Sequence, residues 1–197
     1  MRYHGAMSMT ALPQTRMTAE EFLAWSEGQP GRYELADGEV IAQAAERVAH
    51  AEMKHVVANA LEKAIREKGL PCHVLPDGVA VRVSPSTVFE PDAQVYCGPR
   101  LPPDALLVEP LIVVEVVSPS TGRNDLTGKL EGYFRLPSIK HYLIVYPDKP
   151  LIIHHARSDG ETILTRVIRD GAVTLDPPGV EFPMAEIYEA GARDGSI

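Results

Sequence analysis

The sequence predicts a mixed α+β domain, in which helices flank a mixed central sheet and additional β-hairpins extend it. Three observations lead to this class. One long segment carries apolar residues at helical spacing, several short runs have the character of strands, and Gly or Pro turns separate these segments. The 197 residues, of which 45% are hydrophobic, are enough for one domain with its own core.

Three segments of the chain are predicted to be helical. The sequence T-A-E-E from Thr18 has the spacing of a capping box, which begins a short helix. In the long central helix, apolar residues recur at i, i+3, i+4 and i+7, and Gly69 ends the pattern. Asp125 is placed to cap the third helix, and Pro137 ends it. The predicted helices are residues 18–26, 46–68 and 125–136.

The strand-like runs are short and separated by turn residues. Asp37-Gly38 divides two of them and is the strongest short-range signal for a tight hairpin. The run 111–117 lacks polar alternation, which predicts a strand buried on both faces at the centre of the sheet. Asp159-Gly160 joins the last two runs as a second hairpin. The predicted strands lie within 32–42, 73–75, 79–83, 90–97, 111–117, 141–146 and 151–168.

The domain organisation predicted from these elements is simple. Residues 1–16 form a loose leader, 17–190 a single domain and 191–197 a tail. The N-terminal segment lacks the apolar run of a secretory signal. The longest nearly apolar run, 111–117, is far shorter than the roughly 20 residues that span a bilayer, so no membrane-spanning segment is expected.

Cysteine content and charge bound the cellular setting. Cys72 and Cys97 are the only cysteines, and this number favours free thiols in a reducing compartment, so a cytoplasmic location is predicted. The formal net charge of -8 argues against a broadly basic nucleic-acid-binding surface.

Glu115 interrupts the apolar run LIVVEVV, where an ionised carboxylate is costly unless it is paired or binds a metal. Asp92 lies on the preceding strand-like segment, 90–97, and adjacent strands would bring the two carboxylates together. Such a pair of oxygen ligands predicts a site for Mg2+ or Mn2+. Taken singly, Glu115 could pair with a basic side chain or backbone amides, and Asp92 could cap a turn after Pro91.

The third candidate is Lys129, which shares one face of the predicted helix with Asp125 and Tyr133 because they are spaced four residues apart. A cation near a metal-bound water can orient that water and offset charge that builds on a phosphoryl oxygen. The alternative for Lys129 alone is a solvated surface residue.

Four motifs follow one another in a characteristic order: PD at 91–92, VVEVVSPST at 113–121, D-x-x-x-K-x-x-x-Y at 125–133 and HYLIVYP at 141–147. Together they resemble the Uma-two family of restriction endonucleases. The segment RYELADGEV at 32–40 and the helix that contains His50 are similar to the opening of that family. The resemblance covers roughly residues 17–190.

The resemblance implies a restriction-endonuclease-like core of the PD-(D/E)-x-K superfamily, a mixed four-stranded sheet flanked by helices. It also implies a metal-dependent endonuclease with Asp92 and Glu115 as metal ligands. The sequence departs from the superfamily at Val117, where lysine is expected, and Lys129 is the candidate replacement. Val117 favours the alternative function, a noncatalytic nuclease-fold module that binds nucleic acid or protein. A third possibility is a metal-dependent hydrolase of a small phosphorylated molecule.

Four further residues are weaker candidates for the site: Glu34, His50, Asp125 and Tyr133. Glu34 matches the family's opening motif and could complete a metal shell, or it could pair with an arginine. His50 could lie near the cleft, although a histidine near a helix start is more often structural.

The predicted partner is nucleic acid, with DNA favoured. Residues 118–140 carry four basic and two acidic side chains, a local charge of +2 that suits an approaching phosphate backbone. The strands after residue 150 exceed what the nuclease core needs and predict a homodimer.

Overall fold

A computed structural model describes residues 12–13, 15–117, 123–160 and 162–189, except for the side chains of residues 123–125. Helices and groups of strands follow one another in the predicted order, but the third helix begins at Arg123, before its predicted cap Asp125. The last two strands and the last helix were not predicted. The helices are α1 (Ala19–Ser26), α2 (Val48–Lys68), α3 (Arg123–Arg135) and α4 (Met184–Tyr188). The strands are β1 (Tyr33–Ala36), β2 (Glu39–Ala42), β3 (Cys72–Pro76), β4 (Val81–Ser84), β5 (Thr87–Phe89), β6 (Ala93–Cys97), β7 (Ile112–Val116), β8 (His141–Tyr146), β9 (Leu151–Arg157), β10 (Ile163–Ile168), β11 (Ala172–Leu175) and β12 (Val180–Pro183).

The central sheet has six strands in the order β10-β9-β8-β7-β6-β3. Strands β7 and β8 are parallel, because α3 crosses over between them, and the other neighbouring strands are antiparallel. The predicted mixed sheet with β7 in its interior is therefore confirmed. A second sheet has the order β2-β1-β5-β4, and β11 and β12 form a separate hairpin.

Helices α2 and α3 cover opposite faces of the central sheet. Val114 of β7 packs in the cluster that holds the apolar face of α2, whereas the adjacent Val113 packs in the cluster of α3. Since successive side chains of a strand point to opposite faces, the two helices lie on the two sides of β7. Gly69 ends α2 with a left-handed φ of 61°, a conformation that glycine adopts without steric cost.

Helix α3 approaches the second sheet very closely. A Cβ atom added at Gly132 would lie 2.6 Å from the Phe89 ring of β5, so only glycine fits there without a shift. The ring of Phe89 also packs edge-on against Tyr133, with ring centroids 5.3 Å apart. This packing fixes α3, and with it Lys129, relative to β1 and β5.

Several expectations about the fold need correction. Strand β5 was not predicted, and β4 begins at Val81 rather than Val79 and pairs with β5 in the second sheet. The end of the chain extends the central sheet only through β9 and β10, because the apolar side chains of β11 and β12 pack in the α2 cluster instead. The prediction of two free thiols is wrong, since Cys72 and Cys97 lie opposite each other on β3 and β6 and form a disulfide.

The domain boundaries stay predictions. The expected leader falls outside the described residues except for 12–13 and 15–16, and the expected tail 191–197 falls wholly outside them. Within the described part of the chain, no helix has both the length and the apolar character needed to cross a membrane.

Candidate active site

The pairing of β6 with β7 brings the two predicted metal ligands together. Ala93 of β6 lies opposite Val114 of β7. Continued by one residue, this antiparallel register places Asp92 opposite Glu115. Both carboxylates are buried, with 7% and 8% of the residue surface exposed. The strand register is therefore the physical reason why residues distant in sequence meet.

Glu115 lies in a hydrogen-bonded group that we call the Lys129 cluster, which comprises Glu34, Glu115, Lys129 and Tyr133. The Lys129 ammonium Nζ lies 3.0 Å from Glu115 Oε1 and 3.0 Å from Glu34 Oε1. The Tyr133 hydroxyl donates to the same Glu115 oxygen at 2.6 Å. Lys129 and Tyr133 reach one oxygen because they are one helical turn apart on the same face of α3.

Glu34 joins this cluster from the second sheet. It lies on β1 and is 4% exposed, and its Oε1 atom also accepts a hydrogen bond from the Glu90 backbone N–H at 2.8 Å. The arginine partner considered for Glu34 is thus replaced by Lys129. Three separate elements, β1, β7 and α3, meet at this ammonium group.

The charge balance of the Lys129 cluster is unusual. The pKa of Glu115 is raised to about 8, because burial and the carboxylates of Asp92 and Glu34 together outweigh the opposing effect of Lys129. Burial and the neighbouring Glu115 also raise the pKa of the Tyr133 hydroxyl, which stays a hydrogen-bond donor. Without a further cation, Glu115 therefore holds a proton at neutral pH.

Asp92 is held by the backbone of β7 and by two side chains of α2. Its Oδ2 atom accepts a hydrogen bond from the Val116 backbone N–H at 2.7 Å and lies 3.6 Å from His50 Nε2. Its Oδ1 atom lies 3.6 Å from Lys54 Nζ. Burial raises the pKa of Asp92, although the Val116 N–H, His50 and Lys54 oppose that rise.

We call Glu46, His50, Lys54 and Asp92 the His50 cluster. His50 and Lys54 are one turn apart near the start of α2, and Glu46 comes from the loop before that helix. The ammonium of Lys54 contacts Glu46 and lies 2.6 Å from Asp77 Oδ2. Although burial works against the charge of Lys54, hydrogen bonds to Asp77 and Glu46 raise its pKa.

Lys54 and its acidic partners were missed in the sequence. One signal was present: Lys54 lies four residues after His50 and three before Val57, on the buried face of α2. A lysine on an apolar face needs acidic partners. Those partners are on loops, and hydrophobic periodicity says nothing about where loops meet.

A groove of about 350 Å³ leads to the Lys129 cluster. It runs between the β1–β2 hairpin and α3, with Phe89, Gly128, Lys129 and Arg135 among its lining residues. The Lys129 ammonium lies 5.6 Å from the centre of the Phe89 ring. A ligand in this groove would meet the Phe89 ring, the cationic side chains of Lys129 and Arg135, and the acidic side chains of Asp37 and Glu131.

The structure brings together six of the seven candidate residues in the two clusters. The clusters meet at Asp92, which interacts with Glu115 and accepts a hydrogen bond from the Val116 backbone N–H. The side chain of the seventh, Asp125, lies outside the described residues, as does the loop 118–122. Val117, which stands where lysine was expected, is half-buried among apolar neighbours and donates its N–H to the Val145 carbonyl at 2.8 Å. Lys129 is the ammonium that contacts Glu115 instead.

This architecture is a nuclease-like fold. The chain matches the crystal structure of a protein of Anabaena variabilis described as "a putative nuclease belonging to DUF820", with a TM-score of 0.71 and 14% sequence identity. The match covers 88% of this chain and 98% of that one. At this identity the likeness concerns the fold.

The sequence comparison identifies the family. Residues 19–185 match the Uma2 family, described as "Putative restriction endonuclease", and the chain belongs to this family. A relative from Synechocystis sp., "Uncharacterized protein slr1290", is 26% identical over 183 residues, which are 89% of this chain and 93% of the relative. The resemblance seen in the sequence motifs and the fold class are thus confirmed.

Proposed function

We propose that this protein is a metal-dependent phosphodiesterase that cleaves nucleic acid, with Asp92 and Glu115 as the ligands of Mg2+ or Mn2+ and Lys129 as the assisting cation. The observation that carries the proposal is the buried Glu115 carboxylate, which shares its surroundings with Asp92 and Glu34 and is touched by Lys129. Membership of the Uma2 family supports the same reaction class.

The donor set fits a divalent cation with hard oxygen ligands. The carboxylate of Asp92 raises the pKa of the buried Glu115 on the adjacent strand, and a cation between the two would remove that penalty. Carboxylate oxygens are the ligands that Mg2+ and Mn2+ prefer. When bound, such an ion would make a water molecule a better nucleophile and neutralise charge on a phosphoryl oxygen.

The protein side chains have separate tasks in this proposal. Glu115 must lose its proton before it can bind a cation, and the Lys129 ammonium favours that ionised form. Tyr133 fixes the orientation of Glu115 through its hydrogen bond to Oε1. Lys129 also lines the groove, where it can meet the negative charge of a phosphate.

The substrate is proposed to be nucleic acid, with DNA favoured. The net charge of -8 repels a phosphate backbone over most of the surface, so binding is expected to be weak and sensitive to salt. A noncatalytic binding module is the second candidate function, because Val117 leaves the usual lysine position apolar. A hydrolase of small phosphodiesters is the third.

Cleavage assays separate these functions. Labelled DNA, RNA and a small phosphodiester are incubated with Mg2+ or Mn2+ and either the natural protein or the Glu115→Gln variant. The proposal predicts metal-dependent cleavage of a nucleic acid that Glu115→Gln loses. Glu62→Gln is a matched control, because Glu62 is an exposed glutamate of α2 that does not line the groove. Binding without cleavage under saturating metal would favour the noncatalytic module.

A homodimer is part of the proposal. Strand β10 is an edge of the central sheet and exposes Leu164 and Val167, by 49% and 59%. An edge strand with exposed apolar side chains is suited to pairing with a second copy. A monomeric mass from light scattering at micromolar concentration would refute it.

A cytoplasmic location, where nucleic acid is available, also remains a proposal. The Cys72–Cys97 disulfide removes the argument from free thiols. Fractionation of the cells that produce the protein tests the location, and recovery outside the cytoplasm would contradict it.

A further inference from the structure

The Oε1 atom of Glu34 accepts hydrogen bonds from two parts of the chain that are far apart in sequence. The Glu90 backbone N–H donates to it at 2.8 Å, and the Lys129 ammonium donates to it at 3.0 Å. Glu90 lies two residues before Asp92, whereas Lys129 lies on α3. One carboxylate oxygen therefore connects the ammonium to the segment that carries a proposed metal ligand.

Glu34 is itself firmly placed. It lies on β1, which is an interior strand of the second sheet, and it is 4% exposed. Arg32, two residues earlier, pairs with the Glu90 side chain and fastens the start of β1 to the same segment. A buried side chain on an interior strand places its partner more precisely than a side chain on a loop does.

The Lys129 ammonium depends on such a partner. A lysine has a flexible four-carbon stem, so the packing of α3 does not by itself fix the position of the ammonium. Only 8% of this side chain is exposed, and a buried charge is costly unless it is paired. Glu115 and Glu34 both lie 3.0 Å from Nζ, but Glu115 is also a proposed metal ligand. Glu34 is therefore the carboxylate that can hold Lys129 independently of the metal.

We propose that Glu34 is the positioning residue of Lys129, and that it holds the ammonium at a fixed place relative to Asp92 and Glu115. The inference rests on the proposed function for the part that Lys129 plays in cleavage. In this role Glu34 acts on cleavage only through Lys129 and supplies no ligand to the metal, which differs from the metal-shell role considered for it in the sequence.

The first test needs neither metal nor substrate. Nuclear magnetic resonance of the full-length protein labelled with ¹⁵N-lysine measures how fast the Lys129 ammonium exchanges hydrogen with water, and the loss of one signal in Lys129→Met assigns it. Glu34→Gln keeps an oxygen that can accept from the Glu90 N–H but removes the charge. Exchange at Lys129 should become about 10-fold faster or more, because a charge-assisted hydrogen bond is lost. The buried Lys54 ammonium pairs with other carboxylates and should keep its rate.

Cleavage tests whether this contact matters for the reaction. Single-turnover cleavage at saturating Mg2+ should fall about 10-fold in Glu34→Gln, whereas the calorimetric Mg2+ affinity should stay within about twofold. In the Lys129→Met background, Glu34→Gln should have no further effect, because the group that it positions is gone. Glu34→Asp keeps the charge on a shorter side chain and should give intermediate values in both tests. Glu39→Gln is the matched control, since Glu39 is exposed on β2 of the same hairpin and pairs with Arg16.

The outcomes separate this inference from the proposed nuclease function. Unchanged ammonium exchange in both Glu34→Gln and Glu34→Asp would overturn the inference. So would an equal loss of cleavage with and without Lys129, which indicates a merely structural role, or a loss of Mg2+ affinity of about 10-fold or more, which indicates a metal ligand. If the natural protein cleaves no substrate, the nuclease proposal fails, and the ammonium exchange still decides whether Glu34 holds Lys129.

Discussion

Metal binding should release a proton from Glu115, and the amount released should depend on pH in a defined way. The pKa of Glu115 is raised to about 8, mainly by burial, so the carboxyl is protonated at neutral pH before metal arrives. A metal ligand must be ionised. With this pKa, Mg2+ binding releases about 0.9 proton from Glu115 at pH 7 and about 0.1 at pH 9.

Titration calorimetry in buffers of different ionisation enthalpy measures these numbers directly. The slope of the observed enthalpy against the buffer enthalpy gives the protons released per Mg2+ bound. The slope should fall about tenfold from pH 7 to pH 9. An infrared difference spectrum between the metal-free natural protein and Glu115→Gln should independently show the C=O stretch of a protonated carboxyl at pH 7.

A second perturbation tests the electrostatic cause. Lys129→Met removes the ammonium 3.0 Å from Glu115, and loss of one opposite charge at that distance raises a carboxyl pKa by roughly 1–3 units. The variant should therefore still release about half a proton or more at pH 9. Lys68→Met, at an exposed position of α2, should behave like the natural protein. Equal proton release at pH 7 and pH 9, or none at pH 7, would refute the reasoning.

Three further predictions concern catalysis, packing and acid stability. Lys129→Met should lower turnover about 10²-fold, which is the scale for one lost electrostatic stabiliser. Lys129→Arg should restore only part of the turnover. Single-turnover cleavage by Lys129→Met at the rate of the natural protein would contradict this prediction. Gly132→Ala should lower the free energy of unfolding by about 1–3 kcal/mol, because the new methyl group clashes with Phe89. Gly128→Ala has open space around the new methyl group and should raise the free energy of unfolding by about 0.5–1 kcal/mol. Urea unfolding measures both, and equal effects of the two substitutions would contradict the packing. Burial and the neighbouring His141 lower the pKa of His154 from its ordinary 6.5 to about 4. Between pH 6.5 and pH 4 the unfolded state therefore binds more protons than the folded state. The free energy of unfolding falls as the pH decreases through this range, by up to about 3 kcal/mol. His154→Leu should flatten this loss in urea unfolding at pH 7 and pH 4.5, and an unchanged slope would count against it.

The sequence predicted those parts of the molecule that depend on local pattern. The apolar period of α2, the capping box at Thr18 and the Asp37-Gly38 hairpin were readable because each is decided by neighbouring residues. The shared helix face of Lys129 and Tyr133 was readable for the same reason.

Long-range relations could not be read in the same way. Nothing local places β5 beside β1, and nothing in the spacing of two cysteines shows that β3 and β6 put them opposite each other. Lys54 was overlooked because its partners Glu46 and Asp77 lie on loops, whose meeting depends on the packing of α2 on the sheet. The side chains that share a local face were therefore predictable, and the electrostatic surroundings of the site were not.

The central claim is that Asp92 and Glu115 share one divalent cation. Anomalous scattering from a crystal of the full-length protein soaked in Mn2+ tests it most directly, because the anomalous signal locates the ion without assumptions about activity. The account predicts a peak in contact with both carboxylates, and with Lys129 still beside Glu115. A fully soaked crystal with no peak at these two carboxylates, measured at a pH above the pKa of Glu115, would contradict the account.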